Sequence, residues 1–180
     1  MLRKTYQDVR RMPASEMLFD VLYTFPRLPA QYARARSSLG WQLGAAFNTS
    51  WMTLLQPEVH FHHDVVVPDI AAWRRQRMPE VPDVLFFTLA PNWVCEVLSE
   101  STRAIDRSEK MKIYARERVS HLWFVDPIAR TLEVFQLITP KKSKRGQSAM
   151  WNLLGVWRDD ARVRAEPFDA IELELGSLWK

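Results

Sequence analysis

Cysteine is almost absent: Cys95 is the one copy in 180 residues, so no disulfide can close within the chain. The opening stretch MLRKTYQDVRRMP has no apolar segment that could act as a signal peptide, and the two absences together point to a reducing, cytoplasmic setting. No run of about eighteen apolar residues occurs, which excludes a membrane-spanning helix and predicts a soluble protein. Internal repeats and low-complexity tracts are missing as well. What is present is 47% apolar residues, enough in a chain of this length for one substantial core, so a single domain over residues 1–180 is expected. The net charge of +4 is a modest excess that fits an anionic partner without demanding one.

Local patterns alternate between helix and strand. Tyr6, Val9 and Met12, spaced by three, predict a short helix stopped by Pro13. Residues 18–25 are aromatic and branched and predict a strand ending before Pro26. From Ala30 to Phe47 the side chains of Tyr32, Ala35, Leu39, Leu43 and Phe47 share a helical face, with Arg34 and Arg36 directed elsewhere. Short strands follow at residues 54–55, 59–61 and 65–67, the last running into Pro68, Asp69 and Ile70, with His62, His63 and Asp64 as a turn. Residues 74–83 read as a surface connection, and residues 84–89 suit a strand or a helical turn equally.

Residues 93–98 form an apolar run around Glu96, the pattern of a buried central strand. An amphipathic helix is expected over 102–118, then a hairpin with arms at 121–125 and 131–137. A basic loop at 141–147 and a strand at 151–157 precede a tail, 168–179, that packs on the body. This alternation favours an α/β fold with a core over about 18–138 and a C-terminal strand and tail over 149–180.

Asp69 ends one apolar β run and Glu96 sits within another, so adjacent strands would bring two carboxylates together. Buried carboxylates repel and are costly unless a cation, a shared proton or a basic partner offsets them. A hard divalent ion is one such partner, because it takes carboxylate oxygens, water and phosphate. Taken singly, an Asp after Pro suits a turn and a Glu in a strand suits a salt bridge. Lys110 adds context: it follows Asp106 by four residues on the expected helix and can pair with it. A lysine reaching such a site can orient water and offset charge on a phosphate.

Other groups carry weaker signals. His60, His62 and His63 beside Asp64 have the chemistry of zinc ligands, but strand alternation sends His63 to the opposite face from His60 and His62. Lys141, Lys142, Lys144 and Arg145 suit a solvated loop or a non-specific phosphate contact. Trp93 and Trp123, within apolar runs, read as core.

The residues from Val66 to Arg75, Trp93 to Ser99, Ser101 and Thr102, Asp106, Arg107 and Lys110, Tyr114 and Ala115, and His121 to Pro127 together resemble the Uma-two restriction endonuclease family of bacteria. The resemblance is continuous over most of 54–137 and returns at Ala165 to Leu175. It implies the PD-(D/E)XK nuclease superfamily, a restriction-endonuclease-like mixed β-sheet flanked by helices, and hydrolysis of DNA with Mg²⁺ or Mn²⁺. By position, Asp69 takes the place of the motif aspartate and Glu96 that of the second carboxylate. Lys110 stands for a lysine moved from strand to helix, because Leu98 occupies the superfamily's lysine position.

Pro82-Asp83 fits the generic superfamily spacing, yet its flanks do not resemble the family as those of Asp69 do. Asp20 stands for the family's first-strand acid and is a candidate further metal ligand; the Asp-Gly turn is missing, and Tyr32 or Gln31 replaces a histidine. The expectation is a metal-dependent endonuclease acting on DNA as a homodimer. The alternative is a nucleic-acid-binding or assembly module of the same fold that has lost catalysis.

Overall fold

The computed structural model describes residues 15–25, 28–139 and 149–180. The helix expected at Tyr6, Val9 and Met12 and the basic loop of Lys141, Lys142, Lys144 and Arg145 lie outside them. Strands β1 (Ser15–Leu18) and β2 (Val21–Thr24) form a hairpin, followed by helix α1 (Ala30–Phe47). Then come β3 (Trp51–Leu55), β4 (Val59–Phe61), β5 (Asp64–Val66), β6 (Ile70–Arg74) and β7 (Trp93–Val97). Helix α2 has three segments: α-helical Arg103–Ile105, π-helical Asp106–Lys110 and α-helical Met111–Arg116. Strands β8 (His121–Asp126), β9 (Thr131–Ile138), β10 (Met150–Arg158), β11 (Arg162–Val163) and β12 (Leu173–Glu174) precede helix α3 (Gly176–Trp179).

The main sheet has the order β10-β9-β8-β7-β6-β3, and β7 and β8 are its parallel pair. A parallel pair needs a crossover connection, and α2 supplies it. Both faces of β7 are covered, which is why Trp93–Val97 is an uninterrupted apolar run apart from Glu96. Trp93, Cys95 and Val97 face α1 and the C-terminal tail; Val94 joins the core formed by α2 and the smaller sheet, ordered β2-β1-β5-β4. The chain is therefore α/β, a mixed sheet flanked by helices on its two faces.

The tail packs as its apolar spacing predicts. Phe168 is fully buried and meets Trp93 and Trp123 edge-on, with centroids 5.1 and 5.7 Å away. Replacing a buried aromatic ring of this kind by alanine costs about 3–5 kcal/mol. Among the described residues no helix is long and apolar enough to cross a membrane.

Three local expectations change. The apolar run before Asp69 does not carry it beside Glu96: β5 lies in the smaller sheet, and Asp69 stands just before β6, which pairs with β7 in the main one. Residues 18–25 form no single strand: the chain reverses at Phe19 (φ 49°) and Asp20 (φ 63°), and the two arms pair as Leu18 with Val21 and Met17 with Leu22. Paired positive φ values suit a tight hairpin turn normally given to Asn or Gly, so composition hides it here. The turn is held from outside, because Asp64 Oδ1 accepts the Phe19 N–H at 2.5 Å and Asp64 Oδ2 accepts from Arg116 at 2.7 Å. Residues 84–89 form neither helix nor extended strand; Phe87 makes one bridge to Val59.

Candidate active site

Antiparallel pairing sets Ile70 against Cys95, and the next step of the same register brings Asp69 to Glu96. Asp69 lies just before β6 and is fixed on two sides. Its Oδ2 accepts the backbone N–H of Val97 at 2.8 Å, and its Oδ1 accepts from Arg36 Nη1 on α1 at 2.9 Å. Glu96 is buried in the middle of β7, on the face that looks toward α2.

Lys110 closes the π-helical segment, whose wider turn is a feature often found at functional sites. Asp106 and Lys110 are the buried residues of that segment. Lys110 Nζ stands 3.0 Å from Glu16 Oε2, 3.2 Å from Asp106 Oδ1 and 3.3 Å from Glu96 Oε1. One ammonium thus sits among three carboxylates, including the expected pairing with Asp106. Tyr114, one turn later on α2, donates its O–H to Glu96 Oε1 at 2.5 Å. Glu16 is anchored by its other oxygen, which accepts the Val67 N–H at 2.7 Å.

Burial dominates the electrostatics. It raises the proton affinity of Glu16 and Asp69 above the ordinary carboxylate range, although Lys110 and backbone N–H donors pull both back. Glu96 is raised well above that range by burial, with Lys110 opposing and Asp106, Asp69 and Glu16 adding to the rise. For Lys110 burial acts downward, but Glu16, Glu96 and Asp106 outweigh it and leave the ammonium held well above 10.5. Cys95, behind Glu96 on the opposite face, is pushed well above 9.0 by burial, then by Asp69 and Glu96, so its thiol is unreactive near neutrality.

The donor set fits a hard divalent cation in charge and chemistry. Glu16, Asp69, Glu96 and Asp106 are matched by two cations, Lys110 and Arg36. Glu16 Oε2 and Asp106 Oδ1 are buried oxygens that feel the Lys110 charge without a well-directed hydrogen bond. Oxygen-only donors with excess negative charge suit Mg²⁺ or Mn²⁺. Among the described residues no three His, Cys, Asp or Glu side chains already converge on a common metal position. Lys110 occupies the centre of the carboxylates instead.

Of the residues singled out by sequence, Asp69, Glu96, Asp106 and Lys110 come together. Asp20 does not join them: it lies exposed in the β1–β2 turn, and the first-strand acid that meets Lys110 is Glu16. Phe19 and Asp20 make the turn itself, and Glu16 stands on the strand that precedes it. Asp83 is exposed in the connection after β6. Tyr32 is buried against the sheet and Gln31 is exposed; the α1 residue that reaches Asp69 is Arg36, one turn later. His60 pairs with Glu58 at 2.7 Å and stacks on Phe86, while His62 and His63 are exposed, so the histidines do not gather around an ion.

Sequence reasoning also misses the Tyr114 hydroxyl and the reach of Arg36. Glu16 has the same signature as Glu96, an acid at an apolar run, two residues before Leu18 on one strand. Tyr114 has a signal too, since it follows Lys110 by four residues on the same helical face.

No curated protein matches the chain. Among solved structures, one described as "a putative nuclease belonging to DUF820 from Anabaena variabilis ATCC 29413" is similar, with a TM-score of 0.74 and 18% identity over 98% of this chain and 97% of that one. At that identity the likeness establishes the α/β fold. The sequence pattern of the Uma2 family, described as "Putative restriction endonuclease", matches residues 4–160, and the chain belongs to that family.

Proposed function

We propose that the protein is a PD-(D/E)XK-type, divalent-metal-dependent nuclease that hydrolyses DNA phosphodiester bonds. The family and the solved neighbour support a nuclease-like function. The observation that carries the finer reading is the meeting of Asp69 and Glu96 across β6 and β7, beside a buried lysine on α2.

In this reading Asp69 and Glu96 hold Mg²⁺ or Mn²⁺, and Glu16 replaces Asp20 as the candidate for a further carboxylate. The ion, when bound, would neutralise charge on a phosphate oxygen and make water a better nucleophile. Lys110 keeps a positive charge beside Glu96, where it offsets negative charge that builds up on the phosphate during attack. Tyr114 and Lys110 both engage Oε1 of Glu96 and so fix the carboxylate's orientation. Val97, through its N–H, does the same for Asp69. DNA is the partner this chemistry calls for, and a homodimer would present one site to each strand.

A second reading, DNA binding without cleavage, draws on the ion pairs that already engage Asp69 and Lys110. Plasmid nicking in Mg²⁺ or Mn²⁺ by wild type, Asp69→Ala, Glu96→Ala and Lys110→Ala separates the two. Metal-dependent cleavage lost in each variant supports the nuclease; cleavage that survives all three substitutions refutes the site. DNA binding by wild type without metal-dependent cleavage favours the second reading.

A further inference from the structure

We propose that Arg36 competes with the divalent cation for Asp69, so that the free protein holds its ion weakly. The inference rests on the metal site proposed above and concerns how that site is regulated.

Both oxygens of Asp69 are engaged. Oδ2 takes a backbone N–H, which the β6–β7 register fixes in place; Oδ1 takes the Arg36 guanidinium at 2.9 Å. Of the two donors, the side chain is the one that can leave. Arg36 and Asp69 are 22% and 19% exposed, so the guanidinium has a route to solvent. Lys110, by contrast, is 4% exposed and tied to three carboxylates. The cation that yields to an incoming ion is therefore Arg36.

A guanidinium keeps its charge throughout the physiological range. A divalent ion at Asp69 must therefore either displace Arg36 or bind against its positive charge, and both weaken binding. An anionic ligand at the surface would attract the released guanidinium, since its fork of donors matches a phosphate diester. Ion and phosphate then help one another, because each removes an obstacle to the other.

Mn²⁺ titration by electron paramagnetic resonance, on the full chain without nucleic acid, tests this. Arg36→Gln is expected to bind Mn²⁺ about tenfold more tightly than wild type, a coupling within the usual allosteric range. Arg36→Lys should fall between them, and Asp69→Asn added to Arg36→Gln should abolish the gain. A merely structural role for Arg36 predicts the opposite direction, because a loosened Asp69 binds an ion less well. Equal or weaker Mn²⁺ binding by Arg36→Gln overturns the proposal while leaving the metal site intact. Absence of Mn²⁺ binding in both proteins overturns the metal reading as well. Circular dichroism verifies the fold; if Arg36→Gln does not fold, Arg36→Lys carries the test, and affinity no higher than wild type overturns the proposal.

Discussion

Tyr114 on α2 and Glu96 on β7 share a short hydrogen bond, 2.5 Å from hydroxyl to Oε1, between two buried side chains. Burial, and then the Glu96 charge, push the phenol well above 10.0, so it remains a donor at all ordinary pH values. Tyr114→Phe removes that donor without changing the ring. It should cost about 1–3 kcal/mol near pH 8, the usual penalty for a buried acceptor that loses its partner. Urea unfolding over a series of pH values should show the loss shrinking toward acid, because burial raises the Glu96 carboxyl and its protonated form depends less on the donor.

Glu96→Gln is expected to stabilise the protein at neutral pH. The Glu96 carboxyl is raised well above 4.5 on folding, chiefly by burial. Between its unfolded and folded values the native state binds the extra proton, so stability falls as pH rises through that window. Glutamine removes this titration. Thermal unfolding at pH 8 should show a gain on the order of 1 kcal/mol, as for other sites where function opposes stability, and a flatter pH profile.

Lys110→Met should have the opposite effect. It leaves Glu16, Glu96 and Asp106 without their shared cation, and breaking a buried pair in this way costs about 3–5 kcal/mol. The Lys110 ammonium is raised on folding, so its own titration leaves the contribution intact until pH climbs above 10.5 and through the folded value. Denaturant titrations at pH 7.5 should therefore show the full loss. Toward acid the loss should shrink, because burial raises the Glu16 and Glu96 carboxyls and both take up protons as pH falls.

Asp126 tests the turn that joins β8 to β9. Its Oδ1 accepts the N–H groups of Ile128 and Ala129, and its Oδ2 accepts from Arg103 at 2.5 Å. Burial acts to raise this carboxyl, yet the N–H donors and Arg103 prevail and lower it below 3.8. Its stabilisation is present above 3.8 and lost as pH falls through the lower folded value. Asp126→Ala should cost about 1–3 kcal/mol at pH 7, and the difference from wild type should narrow in strong acid.

Asp69, Glu96 and Lys110 were legible because each breaks a pattern set by its neighbours: an acid ends or interrupts an apolar run, and a lysine follows an acid by one helical turn. Glu16 was not, because the turn after it is built from Phe19 and Asp20 rather than from the Asn-Gly or Asp-Gly pair that marks a tight hairpin. Without the turn, the first strand is placed later and Asp20 takes the role of its acid. The turn conformation depends on Asp64 and Arg116, both distant in sequence. Arg36 was visible only as a charge off the apolar face of α1; its meeting with Asp69 depends on how helix and sheet pack. The π-helical widening at Asp106–Lys110 likewise has no signature in residue type. The α/β alternation, the β8–β9 hairpin and the packing of Phe168 were all legible from periodicity.

The central claim is tested most directly by measuring Mn²⁺-dependent relaxation of supercoiled plasmid by wild type and Glu96→Gln side by side, with thermal unfolding of both proteins under the same conditions. The account predicts cleavage by wild type, none above background by Glu96→Gln, and an unfolding temperature at least as high in the variant. Cleavage by a folded Glu96→Gln protein at the wild-type rate would contradict it.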